Sequence, residues 1–252
     1  MIVQIYEIQD PGEAERCAAL GVDCIGSVLL SEDGWQQPEI REAGRVTRAA
    51  GRQHSLIPLF RDPDLVCRAL DYYRPDFVHF CDALTDEAGA MLPLQPFVEL
   101  QRRVWTRFPD VGIMRSIPVP ASAGMRGFPA LALAKALEPL TDRFLIDAWI
   151  GNEKSDAFVG ITGKTADRAL SAALVLQCRV PVILAGGLSA ENVRDAIAAV
   201  RPAGVDSCTL TNVLDGAGKP VRFRKDFGKV GMFVAEARRA YGIVPKGTSS
   251  IG

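Results

Sequence analysis

Four places in this sequence hold residue types that could do chemistry. Gly186-Gly187 stands directly before Ser189-Ala190-Glu191-Asn192, which reads as a helix start with Ser189 as N-cap. Glycines let a backbone approach a ligand closely, and the first amides of a helix point outward as donors, so the pair suits a phosphate. A plain tight turn would use the same two glycines; Thr209 and Thr211 favour the phosphate. Asp147 closes the apolar run Phe144–Ile146, where desolvation lifts a carboxyl toward proton transfer. An aspartate there equally suits a helix cap or a pair with Lys164. His79 and Cys81, followed by Asp82, are metal-ligand types, but such pairs more often serve packing, and no metal is expected. His54 opens a strand and reads as structural or surface.

The elements that must position these residues alternate along the chain. Short apolar runs recur at Ile2–Ile8, Cys24–Leu30, Ser55–Phe60, Phe77–Cys81, Gly112–Ile117, Phe144–Ile146, Val180–Ala185 and Gly204–Cys208. Continuous apolar runs of this length suit strands buried on both faces, as in parallel sheets. Between them lie helical stretches. One begins at Pro11 and sets Ala14, Cys17, Ala18 and Leu20 on one side; one after Ser189 carries Val193, Ile197 and Val200. Further helices are expected over Pro38–Ala50, Pro63–Tyr73, Leu94–Phe108, Phe128–Leu140, Lys164–Leu176 and Lys225–Tyr241. Eight strand–helix units predict an α/β chain folded as a single (β/α)8 TIM barrel over residues 1–243, with Val244–Gly252 a flexible tail. An open doubly wound sheet is the alternative, weakened because no strand is followed by G-x-G-x-x-G. In a barrel the site collects at the C-terminal strand ends, which places Tyr6, Glu7, Arg115, Asp147, Gly186, Gly187, Cys208 and Thr209 at the mouth.

Composition excludes several classes. Lys plus Arg is 29 and Asp plus Glu 30, a net charge of −1, so no basic excess suggests nucleic acid. No apolar run approaches the roughly 20 residues of a membrane span, and the start lacks a secretory signal. Six scattered cysteines without a C-x-x-C pair suggest reduced thiols and a cytoplasmic location.

From Phe144 onward the sequence resembles the phosphoribosylanthranilate isomerase family. The segments that carry the resemblance are Phe144-Leu145-Ile146-Asp147-Ala148, Gly160-Ile161-Thr162-Gly163-Lys164-Thr165-Ala166-Asp167 and Ala185-Gly186-Gly187-Leu188-Ser189-Ala190-Glu191-Asn192-Val193. Beyond these come Arg201-Pro202-Ala203-Gly204-Val205-Asp206-Ser207 and Arg224-Lys225-Asp226-Phe227. Val3-Gln4-Ile5, Ala18 to Gly26 and Pro75 to His79 agree more loosely. The resemblance implies a barrel that takes a small phosphorylated metabolite with no cofactor, as a monomer or homodimer. Its Amadori-type reaction opens a phosphoribosyl ring with a general acid and removes a proton from C2 with a general base. Asp147 takes the acid's position. Gly186, Gly187, Cys208 and Thr209 take the phosphate's, and Gly160 to Lys164 (with Gly163) a loop over the ligand; Arg115, from its place at the end of strand five, is expected to bind substrate as well.

The strand-one pattern Lys-Ile-Cys-Gly reads Gln4-Ile5-Tyr6-Glu7 here, so Tyr6 stands where that family keeps its base cysteine. A tyrosine is a weak base near neutral pH; Glu7 offers a carboxylate, although alternation points it the other way. The arginine after strand two is missing, and a Ser-Ser-Gly pattern has become Cys208-Thr209-Leu210. Three readings follow: an isomerase of the family's substrate with a replaced base, a paralogue for another phosphorylated ligand, or a binding barrel without catalysis.

Overall fold

The computed structural model describes residues 1–121, 125, 127–151 and 163–243. Each apolar run becomes a strand: β1 (Ile2–Ile5), β2 (Cys24–Leu29), β3 (Gln53–Pro58), β4 (Phe77–Phe80), β5 (Gly112–Pro120), β6 (Arg143–Trp149), β7 (Val182–Leu184) and β8 (Gly204–Ser207). All eight pair in parallel in sequence order, and β8 pairs back onto β1 with Ile2 opposite Gly204 and Ile5 opposite Ser207. That last pairing closes the barrel and excludes the open sheet. The expected tail Val244–Gly252 and the loop residues 160–162 lie outside the described residues.

Helices return the chain between strands: α1 (Pro11–Ala19), α2 (Pro38–Ala49), α3 (Pro63–Tyr73), α4 (Gln95–Arg107), α5 (Ala130–Leu137), α6 (Arg168–Gln177), α7 (Val193–Val200) and α8 (Phe227–Ile243). Proline opens α1, α2 and α3, where its fixed φ fits and its missing N–H goes unused. The carboxylates of Asp10, Asp62 and Asp167 cap α1, α3 and α6 by accepting from Glu13, Leu65 and Leu170 amides. In α1 the buried side is Ala14, Cys17 and Ala18, while Leu20, expected with them, is 36% exposed just past the helix end.

Two segments depart from the sequence-based expectation. Helix α7 begins at Val193 rather than beside Ser189, whose amide instead donates to Asn192 Oδ1. Lys225 was expected to open the last helix but ends a strand. Residues after β8 make a 3-10 turn (Thr209–Thr211) and an antiparallel hairpin of β9 (Asn212–Leu214) and β10 (Pro220–Lys225) before α8 starts. The hairpin turn is locally encoded: the Asp215 side chain accepts from the amides of Ala217 and Lys219.

Strand alternation sorts side chains into a barrel interior and a layer beneath the helices. Val28, Ile57, Met114, Leu145, Ile183 and Ala185 fill the interior together with Tyr6. Gly26 on β2 makes room for that tyrosine, because a Cβ there would lie 2.1 Å from the Tyr6 ring.

Candidate active site

Most of the expected mouth residues meet at the ends of β6, β7 and β8. Asp147, Gly163, Gly186, Gly187, Cys208 and Thr209 line one pocket with Ala185, Leu188, Asp206, Ser207 and Leu210. Gly186 and Gly187 have φ of 82° and 55°, left-handed values that favour glycine. A Cβ on Gly187 would sit 2.7 Å from the carbonyl oxygen of Gly163, so the turn is also packed against the chain leaving β6. The glycines thus serve the tight turn as well as the pocket wall. The cavity is about 30 Å³, room for about one water. Leu210, standing where the glycine was expected, forms part of its wall. A phosphate therefore needs this wall to move.

Asp147 is half-buried at the inner side of β6, and its Oδ1 accepts from the Ala148 amide at 2.7 Å. The cap of α6 falls to Asp167, not to Asp147. Asp206 faces inward from β8 and is 5% exposed. Gln4 Nε2 donates to its Oδ1 at 3.1 Å. Burial pushes the Asp206 carboxyl up to about 7; the Gln4 hydrogen bond and Lys225 oppose that rise and Asp147 adds to it. Asp206 was not among the expected site residues. It stands inside the stretch Arg201–Ser207, and its signal was a carboxylate within a short buried strand, one residue before the strand's end.

On the opposite side of the mouth the side chains satisfy one another. Tyr6 Oη lies 2.7 Å from Ser55 Oγ and 2.8 Å from His79 Nδ1, while His79 Nε2 lies 2.8 Å from Ser116 Oγ. All four are buried. Burial lowers the His79 imidazole to about 3, with the Arg115 charge adding to it, so the ring is neutral. A neutral ring has one donor and one acceptor nitrogen. Burial also holds the Tyr6 phenol well above its ordinary value. Tyr6 is thus a protonated member of a closed hydrogen-bond chain, and it does not line the Asp147 pocket. His79, with both nitrogens occupied, is a packing residue in the sense expected.

Glu7 leaves the barrel axis. It has φ of 65°, and its carboxylate accepts from Arg222 Nε at 2.6 Å and from Asn212 Nδ2 at 3.3 Å, both on the hairpin. Lys225 Nζ continues the set, donating to Asn212 Oδ1 at 2.6 Å and to the Cys208 carbonyl at 2.9 Å. Arg115 points outward from β5 and is fully buried under α4. It donates to Asp82 at 2.7 Å and to Gln101 at 2.9 Å, and Arg61 Nε holds the other Asp82 oxygen at 2.7 Å. Although burial opposes it, the two arginines hold the Asp82 carboxyl below its usual range. Strand alternation explains the misplacement: Met114 and Ser116 face the interior, so Arg115 between them cannot. His54 is buried, not surface, with Nε2 3.1 Å from Ser27 Oγ.

Comparison with known proteins adds to this geometry. A family model for N-(5'-phosphoribosyl)anthranilate isomerase matches residues 99–209, a stretch that holds every residue lining the pocket except Leu210. N-(5'-phosphoribosyl)anthranilate isomerase of Haloferax volcanii is 29% identical over 246 residues, covering 96% of this chain and 95% of the relative. All three comparisons point to the phosphoribosylanthranilate isomerase family. Among solved structures, phosphoribosylanthranilate isomerase from Thermotoga maritima shares the fold with a TM-score of 0.69 at 22% identity, covering 95% of this chain and all of that one. A phosphoribosylanthranilate isomerase in complex with reduced 1-(o-carboxyphenylamino)-1-deoxyribulose 5-phosphate shares it at a TM-score of 0.65 and 19% identity, covering 95% of this chain and all of that one.

Proposed function

We propose that this chain is a phosphoribosylanthranilate isomerase of tryptophan biosynthesis, converting a phosphoribosyl amine to the ketose in an Amadori rearrangement. The observation that carries the reading is that Asp147 and the Gly186-Gly187 turn line one pocket at the strand ends where such barrels hold their chemistry. Asp147 acts as general acid: it protonates the ring oxygen as the bond from that oxygen to C1 breaks, and the nitrogen lone pair forms the iminium. The phosphate sits against the Gly186-Gly187 turn and the Cys208-Thr209 loop, with Gly163 at the margin. Relatives with this name support the substrate, and the complex described above supports a carboxyphenylamino sugar phosphate as its class. We place the reaction in the cytoplasm and the enzyme as a monomer or homodimer; among the described residues no helix is long and apolar enough to cross a membrane.

The test is turnover of phosphoribosylanthranilate by the purified chain, with Asp147→Asn alongside. Turnover that collapses in the variant is expected. A purified chain that does not turn over the compound would refute the reading.

A further inference from the structure

Removing the C2 proton needs a base that reaches the substrate, and the position expected to supply it holds Tyr6. Its phenol oxygen is engaged by both Ser55 and His79 on the far side of the mouth. Glu7 is held by the hairpin through Arg222 and Asn212. Neither lines the pocket that holds Asp147, whose titratable members are Asp147, Asp206 and Cys208. Burial raises the Cys208 thiol far above the neutral range, so no thiolate forms there.

We propose that Asp206 is the general base of this active site, resting on the isomerase reading above. Three observations support it. Asp206 of β8 and Asp147 of β6 line the same cavity, so a substrate that opens it by moving the Leu210 wall meets both carboxyls. The strand carrying it pairs with β1, placing the carboxyl beside the strand from which the base was expected: Asp206 is opposite Gln4. Among the described residues, the side chain hydrogen-bonded to Asp206 is the Gln4 amide, which can follow a change of charge. That amide donates to the carboxylate through Nε2, while its Oε1 is buried without a partner. An amide turned over presents that oxygen as acceptor to a protonated carboxyl. The other groups acting on Asp206 are Asp147, Lys225 of β10, the Tyr6 phenol and the thiols of Cys24 and Cys208.

In the step assigned to it, the Asp206 carboxylate takes the proton from C2 of the iminium. The C2–H electron pair becomes the C1–C2 double bond, and the C1–N π pair returns to nitrogen. In the enamine so formed, ketonisation removes the proton of the C2 hydroxyl and adds one to C1. Asp147 recovers the first and Asp206 delivers the second, so both carboxyls end as they began. A carboxyl lifted to about 7 matches a base working near neutral pH.

Three variants of the full chain test this: Asp206→Asn, Gln4→Leu and Tyr6→Phe. Asp206→Asn is expected to lower kcat at least a hundredfold with KM within threefold, and not to lower the melting temperature at pH 8, since it removes a desolvated charge. A merely structural aspartate would lower the melting temperature instead. The kcat/KM profile of the unaltered chain is expected to rise through about pH 7, and Gln4→Leu to move that rise to higher pH because it deletes a bond favouring the carboxylate. Tyr6→Phe is expected to cost less than tenfold. If Asp206→Asn keeps more than a tenth of kcat, or Tyr6→Phe costs as much as Asp206→Asn, the assignment falls while the isomerase reading stands. If Asp206→Asn does not fold, an unmoved profile in Gln4→Leu overturns it and a moved one supports it. An inactive unaltered chain overturns both.

Discussion

The mouth of this barrel has two unlike halves. Along β6 to β8, carboxyls and glycines border a cavity, and the backbone bends through left-handed conformations to make it. Along β1 to β5, Tyr6, Ser55, His79 and Ser116 bond to one another, and Arg115 is turned outward into a buried ion pair. The family match covers the first half and, of the second, only the end that includes β5. Under the function proposed above, the difference teaches that a phosphate site and an acid can share one side while the other is packed as core, provided the base comes from the same side.

The contrast can be broken or sharpened by substitution. Asp147→Asn, on the open half, is expected to lower kcat/KM by about 10²- to 10⁴-fold, the usual contribution of a positioned acid, with little change in melting temperature. Steady-state kinetics beside a thermal melt would check it. Arg115→Met, on the closed half, should do the reverse. Among the described residues it leaves the buried Asp82 with Arg61 alone as ion-pair partner, a change of the kind that costs about 3–5 kcal/mol, read as a lower urea midpoint with KM retained in the folded fraction.

Acid should also act mainly on the closed layer and its supports. His54 and His79 fall from 6.5 to about 3 on folding, chiefly through burial, so between those values the unfolded chain binds more protons and stability drops as pH falls. Asp206, raised to about 7, has the opposite sign: the folded chain keeps its proton and gains as pH falls from 7 toward 3.8. Two groups oppose one, leaving a net loss of about 1.4 kcal/mol per pH unit between about pH 6 and 4. Urea titrations of the parent and His54→Gln, in which that net slope should disappear, would measure it. Smallest of all, Leu210→Gly should widen the pocket and tighten inorganic phosphate by about fivefold, near 1 kcal/mol, in isothermal titration.

The barrel was legible because doubly buried strands leave continuous apolar runs, and because proline and aspartate mark the helix starts. Asp147 and the glycine pair were legible because their position at strand ends is a property of local sequence. Arg115 was misplaced because facing is decided by strand parity, which shifts with a one-residue change in where the strand begins. Asp206 was passed over because its neighbours, Gln4 and Asp147, come from distant sequence, and only their convergence distinguishes it from a strand-filling residue. The hairpin escaped notice although Asp215-Gly216-Ala217-Gly218 carries turn chemistry, since the segment lies between two well-marked elements.

The grip of Arg222 and Asn212 on Glu7 has a bearing on biosynthesis. A nascent polypeptide released from the ribosome only through β8 would own every stave of the cylinder yet lack the clasp on its first one. The entrance therefore takes its final shape only when the β9–β10 hairpin reaches back across more than two hundred residues to lock a carboxylate made long before it.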